Sequence, residues 1–364
     1  MSLFRSEFMV PRYDKKVRIL LNPRSRPVYG QDFMARQSLE QFKIGLYDAD
    51  QGSFPSPLAR PSLIVSQNPD SEAESIFLAE VEADRRVIHC HLQWPYLDPF
   101  QKYWLTQSAH VADVRITPAE FLAKRLREET GVDWVTVQNV VDGSRFYPSK
   151  RAERLAFRSK HGISESEFVV IVVGRIESAK GLQVIRSLAK KLITGLRLLV
   201  QYPHERFDKL AESIKAQNPN QVTLLRDGDG DLDRPIRHAD LLLSPSLMEV
   251  APLVALESLA SGVRVVATDS TPFYSDEASF AVASDDLALV PFVEPVRSLL
   301  KRCSRCELAL PEVEVERLAQ TILGEIVIRA GSWDDLDRQG LAARASRYAD
   351  LDGHRQSLSN LYGM

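Results

Sequence analysis

The sequence predicts an α/β protein made of two Rossmann-like, doubly wound domains with a cleft between them. Two observations carry this. Short β-branched runs alternate with helix-length amphipathic segments almost from end to end, which is the pattern of repeated βαβ units. The 364 residues also exceed what one ordinary core organises and suit two domains.

The first series of predicted strands is "VRILL" (17–21), "SLIVS" (62–66), "RRVIHCH" (85–91), "DVRIT" (113–117) and "WVTVQ" (134–138). The second is "FVVIVVG" (168–174), "LRLLVQY" (196–202), "VTLL" (222–225), "DLLLSPS" (240–246), "VRVVATD" (263–269) and "SFAVAS" (279–284). Several are continuous apolar runs, as parallel strands covered on both faces require. Between the two series lies "NVVDGSRFYPSKRAERLAFRSKHGISES" (139–166), rich in charge, Pro and Gly. The expected division is therefore 1–148, 149–339 and a helical tail, 340–364, that packs across both halves.

Composition narrows the function. Apolar residues make up 44% and charged residues 26% of a chain with formal net charge -3, a soluble globular balance with no global attraction for nucleic acid. No apolar run reaches the roughly 18 residues of a membrane span, and no marked basic amphipathic helix appears, so membrane contact is expected to be weak and peripheral at most. The opening "MSLFRSEFMVPRYDKKVR" does not have the form of a secretory signal, and three cysteines make no disulfide framework, so a reducing cytoplasm is expected. Cys303 and Cys306 form a lone C-x-x-C without a second pair to complete a zinc site. The acidic stretch "RDGDGDLDRP" (226–235) has Leu232 and His238 where a calcium loop needs Gly and Glu, and reads as a solvated loop. Oligomeric state leaves no mark on the sequence.

In open α/β sheets, ligands bind beyond the carboxyl ends of the strands. Two stretches of the second half lie there. In "VVGRIESAKGLQVI" (172–185), Gly174 ends a strand, Arg175 follows, and Lys180-Gly181 opens a helix. A planar guanidinium, a point-charge ammonium and a helix N-terminus together suit a diphosphate; the same residues also fit solvated charges at a turn. In "EVAPLVALE" (249–257), a carboxylate stands at each end of an apolar run, Glu249 in the loop before a helix started by Pro252 and Glu257 inside it. On one unbroken helix the two would lie about 80° apart around the axis. They are either solvated helix ends or grips on a hydroxyl-rich ligand, because a carboxylate accepts two bonds side by side from a vicinal diol.

"GRIESAKG", "SPSLMEVAPLVALESLASGVRVVATD" and the junction "VQNVVDGSRFYP" (137–148), in that order and spacing, resemble retaining glycosyltransferases of the GT-B fold, family 4 (glycosyl transferases group 1). The resemblance covers about 112–285 well, the tail loosely and the first 110 residues poorly. It implies a hexosyltransferase-type enzyme of carbohydrate biosynthesis. Such an enzyme moves a sugar from a UDP- or GDP-sugar to a hydroxyl acceptor (glycan, lipid-linked or small molecule), with no metal and no other cofactor. By the resemblance, Arg175 and Lys180 bind the diphosphate, Glu249 the transferred sugar, Glu257 the ribose, and the backbone N–H groups of Leu253 and Val254 add to the phosphate site. Gly30, in "NPRSRPVYGQDF", stands for the family's glycine-rich first loop, otherwise replaced here by Arg24, Arg26 and Tyr29. In "IHCHLQWP", His91 is the candidate for contact with the donor sugar and His89 the alternative, the two being expected to face different sides; Trp94 and Tyr96 suit either acceptor stacking or packing. Val250-Ala251-Pro252 replace the glycines common after the first glutamate, and Arg264 stands where proline is common. Two rival readings are a GT-B sugar-nucleotide epimerase and a catalytically silent sugar-nucleotide-binding subunit.

Overall fold

The computed structural model describes residues 17–20, 45–47, 63–69, 72–80, 83–226, 234–275, 286–292, 309–332 and 337–363. It divides into two compact units, Met1–Val137 with Ser357–Met364, and Gln138–Gln356.

The first unit is built on six parallel strands: β1 (Val17–Leu20), β2 (Gly45–Tyr47), β3 (Leu63–Gln67), β4 (Arg86–His89), β5 (Val114–Thr117) and β6 (Val135–Thr136), in the order β2-β1-β3-β4-β5-β6. β3 pairs with β4 through Ile64–Arg86 to Gln67–His89. Leu63, Ile64, Val65, Val87 and Ile88 are all buried, which is why these strands carry unbroken apolar runs rather than alternation. Among the described residues, helices α1 (Glu72–Glu80), α2 (Pro99–Val111) and α3 (Glu120–Thr130) connect them. α2 begins where "DPFQ" permits: Asp98 Oδ1 accepts the N–H of Gln101 at 2.8 Å, Gln101 Oε1 accepts the N–H of Asp98 at 3.2 Å, and Pro99 starts the first turn. The end of the C-terminal helix also belongs to this unit, and Leu358 and Tyr362 pack into one cluster with Leu63, Val65, Val87 and Ile116.

The second unit holds β7 (Phe168–Val173), β8 (Leu196–Tyr202), β9 (Val222–Arg226), β10 (Leu241–Ser244), β11 (Arg264–Thr268) and β12 (Leu287–Val290). The order is β12-β11-β10-β7-β8-β9, so the unit's first strand, β7, lies beside its fourth, β10. That is the doubly wound order in which the chain reverses direction across the sheet between β7 and β10. Its helices are α4 (Arg151–Lys160), α5 (Leu182–Lys190), α6 (Asp208–Lys215), α7 (Arg234–His238), α8 (Leu253–Ala260), α9 (Glu312–Gly331) and α10 (Asp337–Ala345), followed by α11 (Leu351–Tyr362), which ends in the first unit.

The amino ends of β7 and β10 are tied by a buried ionic cluster. Asp240 accepts from Arg158 Nη2 at 2.6 Å, Arg338 Nη2 at 3.1 Å and the Val169 N–H at 2.8 Å. Arg158 donates further to the carbonyls of Glu165 and Glu167, and Arg338 to that of Ala239. Each buried charge is thus both paired and hydrogen-bonded, the condition under which burial of a charge is tolerated.

Strands β2 and β12 were not foreseen. β2 has three residues and β12 the short sequence "LALV", too little for a periodicity to show. The predicted strand "SFAVAS" (279–284) lies outside the described residues, as do Gly30, Arg24, Arg26, Tyr29, Cys303, Cys306 and most of the 226–235 loop. Among the described residues no helix is long and apolar enough to cross a membrane.

Candidate active site

The loops leaving β7 and β10 carry three of the predicted side chains, Arg175, Lys180 and Glu249, and the strand order puts these two loops side by side at the switch point. After β7, Gly174 (φ +131) turns the chain, and a 3-10 turn, Ser178–Lys180, leads through Gly181 into α5. After β10, the chain runs through Ser246–Ala251 to Pro252, which caps α8. The helix starts at Leu253, one residue beyond the proline.

Lys180 and Glu249 meet directly: Nζ lies 2.5 Å from Oε1, with the glutamate side chain 11% exposed and the lysine 28%. Arg175 is engaged by a second carboxylate, its Nη1 3.2 Å from Glu177 Oε2 and its Nη2 3.0 Å from Oε1. Glu257 lies on α8, where it shares the partly exposed face with Leu253 and Val254, four and three residues earlier. Helix geometry leaves the N–H groups of Leu253 and Val254 without intrahelical acceptors, whereas those of Ala255 and Leu256 reach back to the Pro252 carbonyl. The first turn of α8 thus offers two donors and the positive end of a helix dipole beside the Lys180–Glu249 pair.

Several residues that fix this arrangement were not singled out from the sequence. Asn139 Nδ2 donates to the Ala251 carbonyl at 3.1 Å, Thr271 Oγ1 to that of Val250 at 2.9 Å, and Thr268 Oγ1 to that of Ser246. The Leu247 N–H bonds the Ala179 carbonyl at 2.8 Å, joining the two loops through their backbones. Three side chains therefore satisfy carbonyls of a loop that has no secondary structure of its own to do so. Tyr274 is buried next to Glu249; desolvation first, and then the charge of Glu249, push its phenol above the usual range, so it stays neutral. The only signal for these groups was their place at or after strand ends.

In the first unit, His89 and His91 are not on different sides. Their rings lie 6.3 Å apart and within 12° of parallel, because residues two apart in extended chain share a face. His89 Nε2 is bonded to the Tyr362 hydroxyl at 2.9 Å, and both residues are buried. His91 Nε2 is buried without a hydrogen-bond partner among the described residues, and burial lowers the ring's pKa to about 4. His91 is therefore a neutral imidazole with an unused nitrogen, and His89 a structural one. Trp94 is 6% exposed and belongs to the packing. No group of three or more His, Cys, Asp or Glu suited to a metal ion occurs among the described residues.

Residues 153–280, within the second unit, match the family model described as Glycosyl transferases group 1. Sulfoquinovosyl transferase SQD2 of Arabidopsis thaliana is 30% identical over 161 residues, which are 43% of this chain and 30% of that protein. The chain thus spans about a third of the length of curated relatives such as this one. Among solved structures, sucrose-phosphate synthase of Thermosynechococcus elongatus superposes with a TM-score of 0.68 at 14% identity, covering 96% of this chain and 98% of that one. HepE of Anabaena, in complex with UDP and glucose, gives 0.68 at 12% identity, covering 95% and 98%. At such identities the likeness is one of fold: two Rossmann-like domains of the GT-B class.

Proposed function

We propose that this protein is a retaining glycosyltransferase that moves a sugar from a nucleoside diphosphate donor to a hydroxyl acceptor. The observation that carries the reading is the meeting of Lys180 and Glu249 at the switch point, 2.5 Å apart, beside the free N–H groups of α8. The pair supports the reading because a cation suited to a phosphate and a carboxylate suited to sugar hydroxyls lie within one ligand's span, on the two loops where this topology binds ligands. The family match over 153–280 and the UDP held by HepE support a nucleotide-sugar donor.

Arg175, Lys180 and the Leu253 and Val254 N–H groups take the diphosphate, Glu249 the sugar and Glu257 the ribose diol. The protein's own cations supply the positive charge at the leaving group, so the reading is metal-independent. Displacement runs on one face: the acceptor O–H attacks the anomeric carbon as the sugar–phosphate bond breaks, and the departing phosphate oxygen accepts the acceptor's proton. Positioning and stabilisation of the leaving charge are the protein's share. His91, neutral and with an unused nitrogen, is suited by its chemistry to a sugar hydroxyl.

Thermal stabilisation by a panel of UDP- and GDP-sugars tests the donor, since a ligand that binds only the folded chain raises the melting temperature. Incubating the stabilising sugar nucleotide without acceptor should give at most slow hydrolysis with the anomeric configuration retained. An isomerised sugar nucleotide would make the protein an epimerase, and tight binding without turnover under any acceptor would make it a binding subunit.

A further inference from the structure

Resting on that reading, we propose that Glu177 is an internal counter-anion to Arg175 which competes with the diphosphate and sets how readily the nucleoside diphosphate product leaves. Two residues after Arg175, Glu177 is held in extended backbone (φ -149°, ψ 165°), and its carbonyl accepts the N–H groups of Lys180 at 3.0 Å and Leu182 at 3.3 Å. Its carboxylate is thus delivered by a fixed turn. Oε2 accepts a hydrogen bond from Nη1 at 3.2 Å, and Oε1 lies in ion-pair contact 3.0 Å from Nη2 without hydrogen-bond geometry. The outer edge of the fork is the one with which an arginine embraces a phosphate side by side.

Lys180 is in the same state, paired with Glu249. Each cation assigned to the diphosphate therefore carries its own carboxylate, and the four formal charges cancel. A diphosphate binding here must displace Glu177 from Arg175 and then sits beside the displaced carboxylate. That cost falls unequally on the two nucleotides. Breaking the sugar–phosphate bond leaves the terminal phosphate with one more ionisable oxygen than it has in the donor, so the product meets more repulsion from Glu177 than the donor does. The pair is partly exposed, 22% for Arg175 and 31% for Glu177, which keeps the effect modest and open to salt screening.

Calorimetric titration of the full chain with inorganic pyrophosphate, UDP and GDP tests this in the natural protein, Glu177→Gln, Glu177→Ala and the exposed control Glu165→Gln. Both changes at 177 should tighten pyrophosphate binding by about three- to tenfold at low salt, with the gain shrinking as salt rises, while Glu165→Gln stays at the natural value. Unchanged or weaker binding in the two variants, or an equal gain in the control, would overturn the proposal. The nucleotides separate it from the functional reading. If UDP and GDP bind no better than pyrophosphate but the gain at 177 persists, the donor assignment fails and the counter-anion stands. If a nucleoside diphosphate binds the natural protein well and neither variant gains, the counter-anion fails and the donor assignment stands.

Discussion

Gly181 has no room for a side chain, because a Cβ at that position would lie 2.1 Å from the carbonyl oxygen of Pro245. Its φ of +78° is one that other residues adopt at a cost. The glycine therefore serves two ends: it turns the chain from Lys180 into α5, and it lets the loop after β7 lie against the loop after β10. Gly181→Ala should push these loops apart and separate Lys180 from Glu249. We expect a loss of roughly 1–3 kcal/mol of stability, from strain and the backbone clash, measured by urea denaturation. Transfer should fall further than stability accounts for, and a variant with full activity would show that the close approach of the two loops is not needed.

Removing the cations tests the assignment more directly. Arg175→Ala or Lys180→Ala should each lower kcat by about a hundred- to a thousandfold, the usual effect of deleting one group that stabilises charge in the transition state. Arg175 and Lys180 are partly exposed and lie on a loop, so the variants should keep the natural circular dichroism spectrum and melt close to the natural temperature. Near-normal turnover in both would remove the leaving-group mechanism.

Much of the second unit was legible because its strands are buried on both faces: β7, β8, β10 and β11 are apolar almost throughout and bounded by Gly, Pro or charge. The positions of Arg175, Lys180 and Glu249 at strand ends followed from the same pattern. What sequence could not give was pairing across distance. Nothing local says that Lys180 meets a carboxylate 69 positions away, that Glu177 turns back onto Arg175, or that Asn139 holds the carbonyl of Ala251. The expected facing of the two histidines failed for a different reason. Alternation along an extended chain places His89 and His91 on one side, and only the arrival of Tyr362 from the far end of the chain gives them different roles.

Acid should weaken the fold through two histidines buried as neutral rings. Burial holds the pKa values of His91 and His238 at about 4, against 6.5 in an unfolded chain, with Arg237 adding to the effect at His238. As pH falls from 6.5 to 4 the unfolded chain takes up protons that the folded chain refuses, so stability is lost over that window and rises again with pH. Below about 4 both states are protonated and these two groups add no further loss. Urea midpoints of the natural protein at pH 7.5 and 5.0 should therefore differ more than those of His238→Gln. An equal difference in the two would show that His238 does not titrate as its surroundings dictate.

The two glutamates of "EVAPLVALE" should respond differently to the loss of charge, although both become amides of the same shape. Glu257 is assigned to the ribose diol, which is present in the free nucleoside diphosphate, so Glu257→Gln should weaken binding of that product by roughly tenfold, one charge-assisted bond. Glu249 is assigned to the sugar, which the product lacks, and it also holds Lys180 at 2.5 Å. Glu249→Gln should therefore leave product binding intact or tighten it, because Lys180 is released to the phosphate, while transfer falls. Calorimetry with the nucleoside diphosphate and steady-state rates with the full donor separate the two effects. If the product binds Glu249→Gln more weakly than Glu257→Gln, the ribose and sugar assignments are reversed. If it binds both variants as it binds the natural protein, with Glu249→Gln retaining full turnover, neither carboxylate touches the donor.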